Sequence, residues 1–183
     1  MNKTIALLCW LSSLPASGIG QVPVPQTLAD STWISYRLIH PLHTIDARSN
    51  AVQYHIVADP LSQKITGVTA SVDVTTFDSG NSNRDSHAME VIDAITYPDA
   101  GFSSTTITEK GDSLFVTGNL TFHGVTKGVT MAGVFAWSPG RLEVHGGFDI
   151  SLTEFKVDRP ALLLIPVEDK LAFALNAVFV WKN

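Results

Sequence analysis

The sequence predicts an all-β fold, a sandwich or barrel of roughly eight strands with one short helix inserted. Three observations carry this. Runs of roughly six to twelve residues either alternate apolar and polar side chains or are apolar throughout. Clusters of Gly, Pro, Asp and Asn separate those runs at short intervals. A single stretch, near residues 84-96, abandons alternation for helical spacing.

Trp33 to His40 is the first strand, with Ile34, Tyr36, Leu38 and His40 on one face and Ser35 and Arg37 on the other. Val52 to Ala58 turns at Asp59-Pro60 into Ile65 to Phe77. Phe102 to Thr108 leads through Lys110-Gly111-Asp112 into Leu114 to Phe122. Val129 to Trp137 gathers Val129, Met131, Phe135 and Trp137 on one face. It turns at Ser138-Pro139-Gly140 into Leu142 to Leu152, which aligns Val144, Phe148, Ile150 and Leu152. Lys170 to Trp181 closes the chain and is apolar on both sides: Leu171, Phe173, Leu175, Ala177 and Phe179 face one way, Ala172, Ala174, Val178 and Val180 the other. Such a strand needs a second covering, from the helix, a long loop or a partner subunit. In the helical stretch Ser82 is the candidate cap, with Asp85 three residues later in capping-box spacing. His87, Met89, Val91, Ile92 and Ile95 then recur at helical spacing, and Tyr97-Pro98 stops the run. The helix is expected to pack on the barrel or plug one end.

Residues 1-20 read as an export signal. Lys3 supplies the positive end, Ile5 to Leu14 the apolar core, and Ala16-Ser17-Gly18 or Gly18-Ile19-Gly20 the small residues for cleavage. Residues 21-30 form an extended, Pro-punctuated lead, and 31-183 a single domain. Cys9, the only cysteine, lies inside the signal, so the mature chain has no thiol, disulfide or thiolate metal site. Losing Lys3 moves the formal charge from −5 to −6, which gives no footprint for nucleic acid or an anionic membrane surface. No later run is long enough to be an integral membrane span. A periplasmic or secreted location is expected.

Catalytic arrangements are missing from this pattern: no Gly-x-Ser-x-Gly elbow, no phosphate-binding glycine loop, and paired carboxylates only as ordinary surface-like neighbours such as Glu168-Asp169. The chain is expected not to be an enzyme and to need no cofactor. His40 and His43 sit three apart, a poor chelate on a strand unless a bend follows His40. His40, His87 and His123 could meet at one barrel end as metal ligands, or hydrogen-bond turn backbone and fix loop geometry; the second is expected, and no metal. Arg84 could seat the helix or reach a ligand head group.

Asn83-Arg84-Asp85-Ser86-His87, Tyr97-Pro98 with Phe102-Ser103-Ser104, and Leu120-Thr121-Phe122-His123-Gly124-Val125-Thr126-Lys127 follow one another in an order that resembles the YceI-like family. The resemblance covers Thr32 to Trp181. It implies an antiparallel eight-stranded lipocalin-like barrel whose apolar lumen binds a polyisoprenoid or similar long-chain lipid, for transport, storage or envelope stress response, often as a homodimer. It implies structural roles for Arg84, Asp85, His87, Tyr97, Pro98, His123 and Gly124. On that reading Tyr36, Leu38, Met131, Phe135, Phe148, Ile150, Phe173 and Leu175 contribute to the lumen, with Leu162 and Leu164 at its mouth. Two segments depart from the family pattern, HPLHTIDARSNAV after the first strand and FKVDRPALLLIPVEDK before the last, and both would flank the mouth. Sequence alone does not separate a hollow lumen from a filled one, and a filled barrel dimerising through apolar strands as a structural module is the alternative.

Overall fold

Strict alternation of apolar and polar residues forces each strand to bury one face, and a run of such strands must curl to hide that face. A computed structural model, describing residues 26–27 and 31–181, shows the result. Its elements are β1 (Gln26–Thr27), β2 (Trp33–His40), β3 (His43–Ser49), β4 (Gln53–Asp59), β5 (Lys64–Asp73), α1 (Ser82–Val91), β6 (Asp99–Lys110), β7 (Ser113–Phe122), β8 (Val125–Ser138), β9 (Arg141–Ser151), β10 (Ala161–Leu162), β11 (Ile165–Pro166) and β12 (Lys170–Val180). The hydrogen-bonded order is β3-β2-β12-β9-β8-β7-β6-β5-β4, antiparallel throughout, with β1 joined to β12. At the seam Arg48 on β3 exchanges two 3.0 Å backbone bonds with Asp78, beyond β5. The all-β class, the curled antiparallel barrel wall and, among the described residues, the one α-helix agree with expectation.

In β7 the inward set Leu114, Val116, Gly118, Leu120 and Phe122 is buried while Phe115, Thr117, Asn119 and Thr121 are exposed. Two buried clusters result. One is built around Ile56, Leu114, Val116, Leu142 and Phe179, the other around Leu120, Phe122, Ile150, Phe155 and Leu171.

Three local differences from the sequence reading have physical causes. First, HPLHTIDARSNAV, where the sequence reading placed no strand, contains one: His43–Ser49 forms β3, paired with β2 from Ile34↔Ser49 to His40↔His43, which raises the main path to nine strands. Its alternation is weak because only Ala47 and Ser49 are buried. Second, the helix spans Ser82–Val91 rather than 84-96, and its cap is Asn81, whose Oδ1 accepts from Arg84 N at 3.2 Å. Ser82 is therefore not the cap, and Asp85 does not close a capping box, because its carboxylate accepts from Ser79 N instead. The helix stops where Asp93 adopts a positive φ of 45°, which leaves Ile95 97% exposed. Third, the C-terminal part of β12, where Asn176 and Val178 are buried, is met by the chain's own N-terminal segment, while Ala174 on the same outer face is exposed. Val178 N donates to Thr32 Oγ1, Asn176 Nδ2 donates to the Ser31 carbonyl, and Gln26 pairs with Val180. The export signal and the rest of the lead, apart from Gln26 and Thr27, lie outside the described residues.

The hairpin β10–β11 has a two-residue turn, Leu163-Leu164, with φ of 53° and 67°. Positive φ at both central positions is the geometry that Asn-Gly adopts without strain, and branched Leu does not. Both leucines are exposed, so no burial offsets the strain. The double substitution Leu163→Asn/Leu164→Gly is therefore expected to stabilise the protein by about 1 kcal/mol. Urea denaturation of both forms checks this; a loss of stability would show that the leucines pack on something.

Candidate functional site

The interior enclosed by the sheet is hollow. A cavity of about 240 Å³ runs between inward side chains of β2 to β9 and β12, among them Ile34, Ile56, Val116, Met131, Val144 and Leu175. That is roughly twenty times the space one water requires. Nearly all of the wall is carbon, so water inside would forgo its hydrogen bonds and the space suits an apolar guest. Phe148 and Phe173, neighbours in the β9–β12 register, stack with centroids 4.9 Å apart and planes 14° from parallel. Tyr36 stands on the same side, its ring 6.4 Å from Phe173 and 5.3 Å from Phe77.

Of the eight residues expected to face the lumen, seven lie on the cavity wall: Tyr36, Leu38, Met131, Phe148, Ile150, Phe173 and Leu175. Phe135 does not. It shares their strand face but lies beyond the cavity, where it packs against the cluster containing Leu142 and Val144. Leu162 and Leu164 are also off the wall, exposed on the β10–β11 hairpin, whereas Pro160 at the hairpin's base reaches the cavity. The wall also includes residues that sequence reasoning missed, notably Tyr54, Val68, Val72 and Phe102. Alternation along β4 (Tyr54, Ile56, Ala58) was the available signal for the first.

One end of the cavity is polar. α1 turns Ala88, Met89, Val91 and Ile92 toward it, and Arg84, Asp85 and His87 join the lining. All three were expected in structural roles, with a ligand head group as the second reading for Arg84, and all three border the space. A closed set of bonds holds Arg84 and Asp85. Ser79 Oγ donates to Asp85 Oδ1, and Arg84 donates from Nε to Ser79 Oγ at 2.9 Å and from Nη2 to the Ser79 carbonyl at 3.0 Å. This pins the turn that seats the helix. Burial, and then the Asp85 carboxylate, pushes the Tyr36 phenol above its ordinary pKa, so Tyr36 stays neutral beside this pair.

The histidines do not converge on a metal. A bend does follow His40, and its ring lies 5.1 Å from that of His43, but both its nitrogens are engaged. Nδ1 accepts from Leu42 N at 3.1 Å, so Nε2 carries the proton and donates to the Ile165 carbonyl at 2.9 Å. His123 Nδ1 donates to the Phe155 carbonyl at 3.0 Å, and His87 pairs with Glu90 on an exposed helix face. The His40 and His123 rings each tie one loop to another, whereas the His87 contact stays within α1. Among the described residues no three His, Cys, Asp or Glu side chains gather as a metal set.

His123 and Gly124, with φ of 48° and 69°, make the tight turn between β7 and β8. Tyr97 packs edge-on to His123 at 4.8 Å, and a Cβ on Gly124 would stand 2.5 Å from Tyr97 Cε1. Pro98 supplies the carbonyl that accepts from Val74 N at 2.8 Å, joining the helix exit to the end of β5. Tyr97, His123 and Gly124 thus dock the helix exit on the β7–β8 hairpin.

The curled sheet has counterparts among known proteins. The YceI-like domain family matches residues 29–179. The chain belongs to that family. A UPF0312 protein of Vibrio cholerae is 29% identical over 169 residues, 86% of this chain and 89% of its own length. A UPF0312 protein of Vibrio campbellii is 37% identical over 99 residues, 49% of this chain; the match spans about half, 52%, of that relative's length. BcnA of Burkholderia cenocepacia superposes with a TM-score of 0.74 at 22% identity, covering 84% of this chain and 99% of its own. A polyisoprenoid binding domain from Saccharophagus degradans superposes with a TM-score of 0.66 at 10% identity, covering 88% of this chain and all of that one.

Replacement of Gly124 by Ala places a Cβ against Tyr97 and a non-glycine residue at positive φ. A loss of roughly 2 kcal/mol or more is expected. Urea titration checks it, and in combination with Tyr97→Ala the losses should sum to less than the two singly, because the clash disappears.

Proposed function

We propose that this chain is an exported lipid-binding protein that holds a polyisoprenoid or similar long-chain apolar ligand in its lumen, for transport, storage or envelope stress response. The observation that carries the reading is the cavity: its wall is continuous apolar surface from several strands. A guest chain offers only apolar surface, so selectivity comes from the length, width and dryness of the lumen. Burial supplies up to about 0.8 kcal/mol per methylene. Family membership supports the reading, as does the likeness to a domain that binds polyisoprenoid.

The polar end suits a carrier better than a catalyst. Arg84 and Asp85 are committed to Ser79, and His40 and His123 to backbone carbonyls, so these groups orient loops and helix rather than await a proton. Binding at this site is a transfer from water or membrane into a pre-formed apolar space, with no bond made or broken.

Filling the lumen tests the reading. Ala70 and Ala177 both line the cavity, and Ala70→Trp or Ala177→Phe should occupy the guest's volume. Native mass spectrometry of wild-type protein purified from its own envelope is expected to show a co-purifying long-chain lipid, absent from either variant with an unchanged circular dichroism spectrum. Lipid retained in both folded variants, or no lipid and no thermal stabilisation by added prenyl lipids in the wild type, would overturn the proposal. Export has its own test: mass analysis of the envelope form should find a chain shortened by about twenty residues, the usual length of a signal peptide.

A further inference from the structure

Among the described residues, three buried side-chain polar atoms have no hydrogen-bond partner: Tyr54 Oη, Trp137 Nε1 and Asn176 Oδ1. Only Tyr54 stands on the cavity wall. Trp137 stacks on Trp181 at 5.2 Å, and Asn176 lies on the outer face of β12, where its Nδ2 already reaches Ser31. Tyr54 projects inward from β4 with Ile56, and its ring meets Phe179 of β12 edge-on at 6.3 Å, although those two strands share no ladder.

Buried polar groups are nearly always satisfied, because leaving a donor unmade forfeits its hydration without return. Phenylalanine would give the same ring, the same contact with Phe179 and no orphan. Burial alone, with no charged neighbour contributing, raises the Tyr54 phenol pKa far above its ordinary value, so the group is a neutral O–H donor at any physiological pH. Its surroundings also fix what it can receive. A phosphate or carboxylate placed there would be desolvated with no counter-charge, since the Arg84 and His87 side chains belong to the helix end. A neutral carbonyl, ether or hydroxyl oxygen requires no counter-charge and accepts the bond.

We propose that Tyr54 Oη is a polar subsite within the lumen, donating a hydrogen bond to a neutral oxygen of the bound lipid. The guest is then an oxygen-bearing long-chain lipid rather than a bare hydrocarbon. This rests on the lumen-binding reading above and adds the chemical class of the ligand to it.

The test compares the wild-type chain with Tyr54→Phe against two probes, geranylgeranylacetone, whose ketone is an acceptor only, and squalene, which has no oxygen. The variant is expected to bind the ketone about fivefold more weakly, the effect of one net hydrogen bond, and squalene within about twofold of wild type. In the infrared, the carbonyl stretch of the bound ketone should lie at lower frequency in the wild type than in the variant. Without ligand, Tyr54→Phe should melt at the wild-type temperature or above it, because an unpartnered hydroxyl is removed. Equal affinities of wild type and variant for the ketone, or equal losses for both probes, would overturn the subsite while leaving lumen binding intact. Failure of the wild type to bind either probe would overturn both. A lower melting temperature for the variant would show that the hydroxyl has a structural partner, and would also overturn the subsite.

Discussion

Closure of the wall by β12 is the constraint on which the rest depends. β12 joins the β2–β3 hairpin to the rest of the sheet: one flank pairs with β2, and the other pairs with β9 along its whole length. Phe173 thereby sits between Tyr36 and Phe148, which brings three aromatic rings from distant parts of the chain to one side of the lumen. Until this last strand arrives, the β2–β3 hairpin has no neighbour in the sheet and the inward faces of β6 to β9 are open to water. Both ends of the chain must therefore meet before a lumen exists, a non-local closure that raises the entropic cost of folding. The N-terminal segment reinforces the junction, since Thr32 and Ser31 bond to β12 where β2 has ended.

A wall of this kind can be dry only where the ladder satisfies every backbone group. At the helix end the ladder stops, and loop carbonyls need other donors. His40 supplies one to Ile165, His123 one to Phe155, Arg84 one to Ser79 and Arg159 one to Val167. Several of the short motifs that carry the resemblance lie here, and a loop carbonyl accepts only from a donor of particular reach and angle. Lumen positions are less constrained, because any side chain of suitable size and no charge will serve as wall. Arg84, Asp85 and His87 belong to both descriptions, as loop fasteners that also border the cavity.

The same division explains what was legible in the sequence. Strands such as β7 and β9 announced themselves because alternation over ten or more residues has few other readings, and alternation placed seven of eight lumen residues on the cavity wall. Phe135 failed because periodicity assigns a face but not a height along the barrel. β3 was missed because a strand at the edge of the main path, with only two buried residues, carries almost no periodic signal. The helix boundary slipped because Ile95 extends the helical spacing while the backbone at Asp93 has already turned. Hollowness was not legible at all: Ile, Val and Phe on inward faces look alike whether they touch across a filled centre or stand apart.

Keeping the centre open without losing the fold requires that cohesion come from elsewhere. Side chains around a void lose the dispersion contacts that a filled core would provide. Here the continuous ladders and the lateral packing of the wall residues on one another, within the two buried clusters, supply the cohesion. Gly146 shows how locally the shape of the wall is set: a Cβ there would fall 2.4 Å from Met131 Sδ, so its absence lets a wall side chain lie flat across the neighbouring strand. A lipid inside such a barrel restores the missing contacts and stabilises the folded state by mass action. Cargo retention and fold stability are then the same free energy, and a substitution that tightens the unliganded barrel by filling it weakens its hold on the guest.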